Sequence, residues 1–231
     1  MNRLDHLVRL YDILGTLETK LGGKRRLREC DARTGWPGRG VYFFFEPGEI
    51  RSQSGAGPRV VRVGTHAVSS RSKSTLWRRL AQHRGTGSGA GGNHRGSVFR
   101  KLVGAAMCAR RPALSRRSWG EGESAPRSIR DAEQVIEGEV SRYIGEMPFL
   151  WLRAEDEPSK GSIRAYIERH SIALLSNAST GAPLDGRSDG WLGRYCPKDE
   201  VQRSGLWNSR CVEVSYEPEF LDEMDSLVQQ L

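Results

Sequence analysis

The first clear pattern along the chain is helical: Leu4, Leu7, Val8, Tyr11, Leu14 and Leu17 recur every three or four residues and stop at Gly22-Gly23. This spacing predicts an amphipathic helix of roughly four turns that buries one face and ends at a glycine. The pattern then changes. After the turn-rich Trp36-Pro37-Gly38, the run Gly40-Val41-Tyr42-Phe43-Phe44-Phe45 is a continuous block of strand formers ending at Pro47-Gly48. A second such block, Arg59-Val60-Val61-Arg62-Val63-Gly64, follows a Ser/Gly-rich stretch, so the two are expected to form an antiparallel hairpin with a long connection.

Helices are expected from Ser74 as N-cap to about His83, from Ser97 through Ala106, from Ile129 to Glu146, and from Ser162 as N-cap to about Leu175. A third, buried strand is read over Pro148 to Leu152, a further strand near Cys211 to Val214, and a closing helix after Pro218. The segment GTGSGAGG, residues 85 to 92, reads as a flexible loop. These elements predict an α+β fold: a small mixed three-stranded sheet flanked by helices, in one domain over 1–231. Within it, 1–39 reads as an N-terminal helical extension, 40–177 as the core with an inserted basic helical region at 84–147, and 178–231 as a C-terminal extension.

Charge sharpens this picture. The net charge is +8, but residues 51–120 hold fifteen Lys/Arg and no Asp or Glu, while the remainder, with 21 basic and 28 acidic residues, is net negative at −7. Such concentration favours a polyanionic partner, and arginines spread over strand, helix and loop suit nucleic acid better than a membrane surface. No apolar run approaches the roughly 20 residues of a membrane helix, and the mixed-charge N-terminus is unlike an export signal. A cytoplasmic protein is expected. Cys30, Cys108, Cys196 and Cys211 form no C-x-x-C pair and read as reduced thiols.

At this point the chain resembles the GIY-YIG nuclease superfamily, in particular its restriction-endonuclease-like members. Gly40-Val41-Tyr42 looks like the first signature tripeptide, and Arg62-Val63-Gly64 like the second with arginine in place of tyrosine. Arg79 and His83 are similar to the pair carried by the following helix, and Glu168, within YIERHSIALL, looks like the single metal-binding glutamate. Asn177 or Asn208 could supply the polar asparagine. The resemblance implies a metal-dependent DNA endonuclease using Mg2+ or Mn2+, with Tyr42, Arg62, Arg79, His83 and Glu168 catalytic and Glu168 the metal ligand.

Chemistry supports each assignment. Magnesium needs only one or two protein carboxylates, so Glu168 alone can anchor it. Arg79 and His83 lie four apart on one helix face. A free phenol has a pKa near 10, so Tyr42 needs help as a general base; Arg62 could supply it if both side chains leave the same face of the hairpin. The plainer readings stay open: Glu168 in a salt bridge with Arg164 or Arg169, His83 as a helix C-terminal cap, Tyr42 as a core aromatic, His66 as a surface loop histidine that could also enter the cleft. DNA contacts are expected from Arg71, Lys73, Arg78, Arg84, Asn93, His94, Arg95, Arg100 and Lys101. The substitution at Arg62 leaves two alternatives to a restriction-type enzyme, a nucleic-acid-binding protein with weakened catalysis and a structure-specific repair or recombination nuclease. A homodimer would suit a palindromic target.

Overall fold

The computed structural model describes residues 1–86, 91–179 and 181–231; of the Gly-rich stretch, 87–90 lie outside the described residues. Helix α1 (Arg3–Leu21) opens with a capping box in which Asn2 and Asp5 bond each other's backbone N–H, and closes at Gly22 in the left-handed region. The strands are β1 (Arg25–Arg26), β2 (Gly40–Ile50), β3 (Pro58–Gly64) and β4 (Pro148–Arg153). The helices that follow α1 are α2 (Leu76–Arg84), α3 (Val98–Arg110), α4 (Arg127–Ala132), α5 (Gln134–Gly145), α6 (Ile163–Leu175), α7 (Asp199–Ser204) and α8 (Phe220–Gln229).

The sheet is four-stranded and wholly antiparallel in the order β1-β4-β2-β3, which corrects the expected mixed three-stranded sheet. The missing strand is only two exposed arginines long, Arg25 and Arg26 opposite Phe149 and Pro148, too short to leave a periodic signal. Strand β2 lies between β3 and β4, and both its faces are covered. Val41, Phe43 and Phe45 join a core with α1, α6 and α8; Tyr42 and Phe44 join a second core with α2, α3, α5 and the tail residues Trp191 and Trp207. Burial on both sides explains why this strand is apolar without alternation. The segments that the sequence sets aside as extensions thus furnish walls of both cores.

Three local expectations change. Thr75, not Ser74, caps α2, its side chain accepting from the Arg78 N–H at 3.2 Å, while the Ser74 carbonyl turns to His66. The helix expected over 129–146 is divided at Glu133, whose carboxylate turns inward to Arg95 and Ser118. No strand forms near Cys211–Val214, because Cys211 has φ 61°, outside the extended region, and the edge of β3 is already occupied. There the Trp207 N–H donates to the Val61 carbonyl at 2.6 Å, and the Asn208 side chain bonds both the N–H and the carbonyl of Val63, at 3.1 and 2.9 Å.

Candidate active site

The two signature tripeptides meet across the β2–β3 pair, with Tyr42 opposite Gly64 and Phe44 opposite Arg62. Cross-strand partners share a face, so Tyr42 and Arg62 project to the same side, as their proposed cooperation requires. Both motif glycines have steric reasons. A Cβ on Gly40 would lie 2.4 Å from the Leu152 carbonyl of β4, and one on Gly64 would lie 2.3 Å from the Tyr42 hydroxyl. The bare backbone at Gly64 is what lets the phenol lie across the end of β3.

Tyr42 is fully buried, so it is also a core aromatic, but its hydroxyl is engaged: it lies 2.8 Å from His83 Nε2. His83, equally buried, lies 2.7 Å through Nδ1 from the Ser97 hydroxyl, which in turn accepts from the Arg100 N–H at the start of α3. Burial, then Arg79, Arg62 and Arg100, hold His83 well below the usual histidine range, so it is neutral at neutral pH. His83 is thus a buried imidazole fixed between two hydroxyls, in the last turn of α2. Ser97 as its second partner was not foreseen; the only signal was its N-cap position, fourteen residues on.

Arg62 is buried, its Nη1 donating to the Trp207 carbonyl and its guanidinium lying 4.8 Å from the centre of the Phe99 ring. Desolvation lowers its pKa; Tyr42 and Glu168 oppose this and Arg79 adds to it, so Arg62 lies within the electrostatic reach of all three. Its Nε–H is a buried donor with no partner among the described residues. Arg79 is partly exposed and rests on Gln82 Oε1 and the Gly96 carbonyl, at 3.1 and 3.3 Å.

Glu168 arrives from α6, on the opposite side of the sheet, and reaches the end of β3, where Oε1 accepts from the Thr65 N–H at 3.1 Å. Neither Arg164 nor Arg169 pairs with it: Arg164 is bound to Asp156 Oδ1 at 2.5 Å, and Arg169 is exposed. Burial raises the Glu168 pKa, against the pull of Arg62, the Thr65 N–H and Arg79. No hydrogen bond among the described residues engages its Oε2, so one carboxylate oxygen is free for a hard cation. Those residues contain no group of three or more metal-ligating side chains. A cation held by Glu168 would draw the rest of its shell from water and phosphate oxygens.

Of the two asparagines, Asn208 is beside the site through its bonds to Val63, whereas Asn177 Oδ1 accepts from Leu184 N–H at 3.0 Å and its own N–H donates to the Ser204 carbonyl. His66 is buried rather than a surface loop residue. Its Nδ1 lies 3.1 Å from the Ser74 carbonyl, and burial followed by Arg164 lowers its pKa to about 4.

The expected DNA contacts divide. Arg71, Lys73, Arg78, Asn93 and Lys101 are exposed, although Asn93 caps its own turn through the Arg95 N–H and Lys101 bonds the Gly120 carbonyl. Arg84 lies over Trp77 and bonds the Cys30 carbonyl. His94, Arg95 and Arg100 are instead turned inward, where they bond other residues of the chain rather than facing solvent. Arg95 forms a two-pronged pair with Glu133 at 2.6 and 2.9 Å; His94 Nδ1 lies 2.9 Å from Glu137 Oε1; Arg100 reaches Glu137 Oε2 with Nε at 3.1 Å and the His83 carbonyl with Nη1 at 3.0 Å. Part of the basic third thus serves as counter-charge for glutamates of the acidic remainder, a pairing that linear charge counting cannot show.

All four cysteines are free, and among the described residues no helix is long and apolar enough to cross a membrane. No curated protein and no solved structure matches the chain. A family model does: that of the GIY-YIG domain matches residues 1–231, including the segments outside the signature motifs. With the two tripeptides paired on adjacent strands and the later glutamate brought to their end, the chain belongs to the GIY-YIG family, whose type of activity is that of a nuclease acting on nucleic acid.

Proposed function

We propose that this protein is a metal-dependent DNA endonuclease of restriction type, hydrolysing phosphodiester bonds at the end of β3. The observation that carries the reading is the convergence at the end of β3: Gly64 lies opposite Tyr42, and the next residue, Thr65, donates its N–H to Glu168, a group from the opposite side of the sheet. Glu168 would hold Mg2+ or Mn2+, which would supply positive charge to offset the negative charge growing on the phosphate oxygens.

The chain's own groups do the rest. The unpartnered Nε–H of Arg62 and the partly exposed guanidinium of Arg79 are donors for nonbridging phosphate oxygens. Because burial disfavours a charged imidazole, His83 tunes rather than relays: Ser97 donates to Nδ1, and the Nε2–H then donates to the Tyr42 oxygen. Arg62 and that N–H position the Tyr42 oxygen as the acceptor for the proton of the attacking water. Tyr42 is fully enclosed, so water reaches it only after a covering group moves. Arg71, Lys73, Arg78 and Arg84 supply phosphate contacts around α2. Two subunits acting together would suit cleavage of both strands.

The enclosure of Tyr42, with arginine at position 62 in place of tyrosine, favours the alternative, a nucleic-acid binder with weakened catalysis. Incubation with supercoiled plasmid, with and without magnesium, beside Glu168→Ala and Tyr42→Phe, separates the two. Metal-dependent nicking that both substitutions abolish is the expected result. Retarded mobility without nicking selects the binder, and cleavage confined to flaps or junctions selects a structure-specific nuclease.

A further inference from the structure

The cations around Glu168 are not confined to α2. Glu168 docks on Thr65 and Asn208 docks on Val63, two residues apart at the end of β3, so α6 and the turn after Asn208 flank the same spot. Each carries an exposed arginine there: Arg169 follows Glu168 directly, and Arg210 lies two residues beyond Asn208. Neither makes an ion pair or hydrogen bond among the described residues. This separates them from Arg59, Arg95, Arg100 and Arg164, whose charges are met by Glu49, Glu133, Glu137 and Asp156. The half-buried thiol of Cys211 marks the place. It directly follows Arg210 and packs against the core that includes Ile167 of α6, and burial and Glu168 raise its pKa while Arg169 and Arg210 draw it back, in keeping with that placement.

A phosphate brought beside a carboxylate is repelled until cations intervene. On one side of Glu168 that role falls to Arg62 and Arg79. We propose that Arg169 and Arg210 form a second phosphate-binding wall on the other side of Glu168, so that the sugar-phosphate chain being cut is gripped on both flanks of the catalytic carboxylate. This rests on the nuclease reading above and extends the DNA surface into the acid-rich part of the chain, outside the basic third.

Two measurements test it, both without divalent ions so that no cleavage occurs. In the first, anisotropy of a short labelled duplex gives the affinity at several salt concentrations. Arg169→Ala and Arg210→Ala should each weaken binding to a similar extent for unrelated sequences and reduce the slope of log affinity against log salt by about 0.9. Lys20→Ala, at the end of α1 against α8, should change neither. Unchanged affinity and slope in both arginine variants overturn the second wall while leaving the nuclease reading intact; a wild-type protein that binds no nucleic acid overturns both. The second measurement needs no substitution. Saturating duplex should slow alkylation of Cys211 by N-ethylmaleimide several-fold relative to Cys108, the other half-buried thiol. Equal rates with and without DNA at Cys211, or equal slowing of both thiols, would refute the placement.

Discussion

Gly64→Ala tests the geometry on which the candidate site depends, because it adds one methyl at the point where the phenol crosses β3. The backbone at Gly64 is not in the left-handed region, so alanine is conformationally acceptable and, sterics aside, would stabilise by about 0.4–1 kcal/mol through the unfolded chain. Sterics dominate. The new Cβ would stand 2.3 Å from the Tyr42 oxygen, 2.4 Å from Cζ and 2.6 Å from Cε2, about 1 Å inside ordinary contact, and the ring is hemmed in by Phe44 and His83. Overpacking costs about 1–3 kcal/mol, and pulling the hydroxyl from His83 leaves a buried nitrogen unpaired for about 1–3 kcal/mol more. The net expectation is a loss of about 2–5 kcal/mol, or roughly 5–15 °C in Tm for a chain of this length. A catalytic oxygen displaced by about 1 Å should lower cleavage about 10²-fold. Urea denaturation and plasmid nicking measure the two effects. A double-mutant cycle isolates the cause: in a Tyr42→Ala background the same glycine substitution should cost almost nothing. An equal cost in both backgrounds, or wild-type stability and activity in Gly64→Ala, would show that the phenol does not lie over this residue.

Further outcomes follow from the buried charges. Arg100→Ala should destabilise by about 3–5 kcal/mol, since it leaves the buried Glu137 carboxylate without its guanidinium partner, yet leave DNA affinity unchanged under conditions where the variant is folded; a selective loss of affinity with full stability would refute its inward role. His66, held near pH 4 when folded against about 6.5 unfolded, binds its proton later than the unfolded chain does. Its contribution to stability is therefore complete above about pH 6.5 and is lost as pH falls towards 4. The stability difference between wild type and His66→Gln, measured by urea denaturation, should decline through that window; a difference independent of pH would mean that His66 is not buried as a neutral ring.

Much of the element order was legible because periodicity reports burial. The stripe from Leu4 to Leu17 could only be a helix, and a run such as Val41 to Phe45 needs cover on both faces, which the structure supplies from α1, α6 and α8 on one side and α2, α3 and α5 on the other. What failed to show were features without a period: a strand of two residues, and a tail that closes β3 through one backbone bond and one asparagine side chain. The site divides in the same way. Its catalytic candidates sit in short motifs whose spacing is local, whereas Ser97 behind His83 and Thr65 beneath Glu168 became visible only through contacts.

The sequence by itself determined the hairpin, the glycines in it, the helix carrying Arg79 and His83, and the concentration of positive charge in one third of the chain. Tertiary structure alone decided what that charge does. Whether an arginine faces solvent or an internal acceptor depends on which segments pack together across more than a hundred residues, as with Arg62 and Trp207 or Arg59 and Gly205. A guanidinium is strongly solvated, so it enters a core only where an acceptor is already waiting, and no count along the chain records where those acceptors will be.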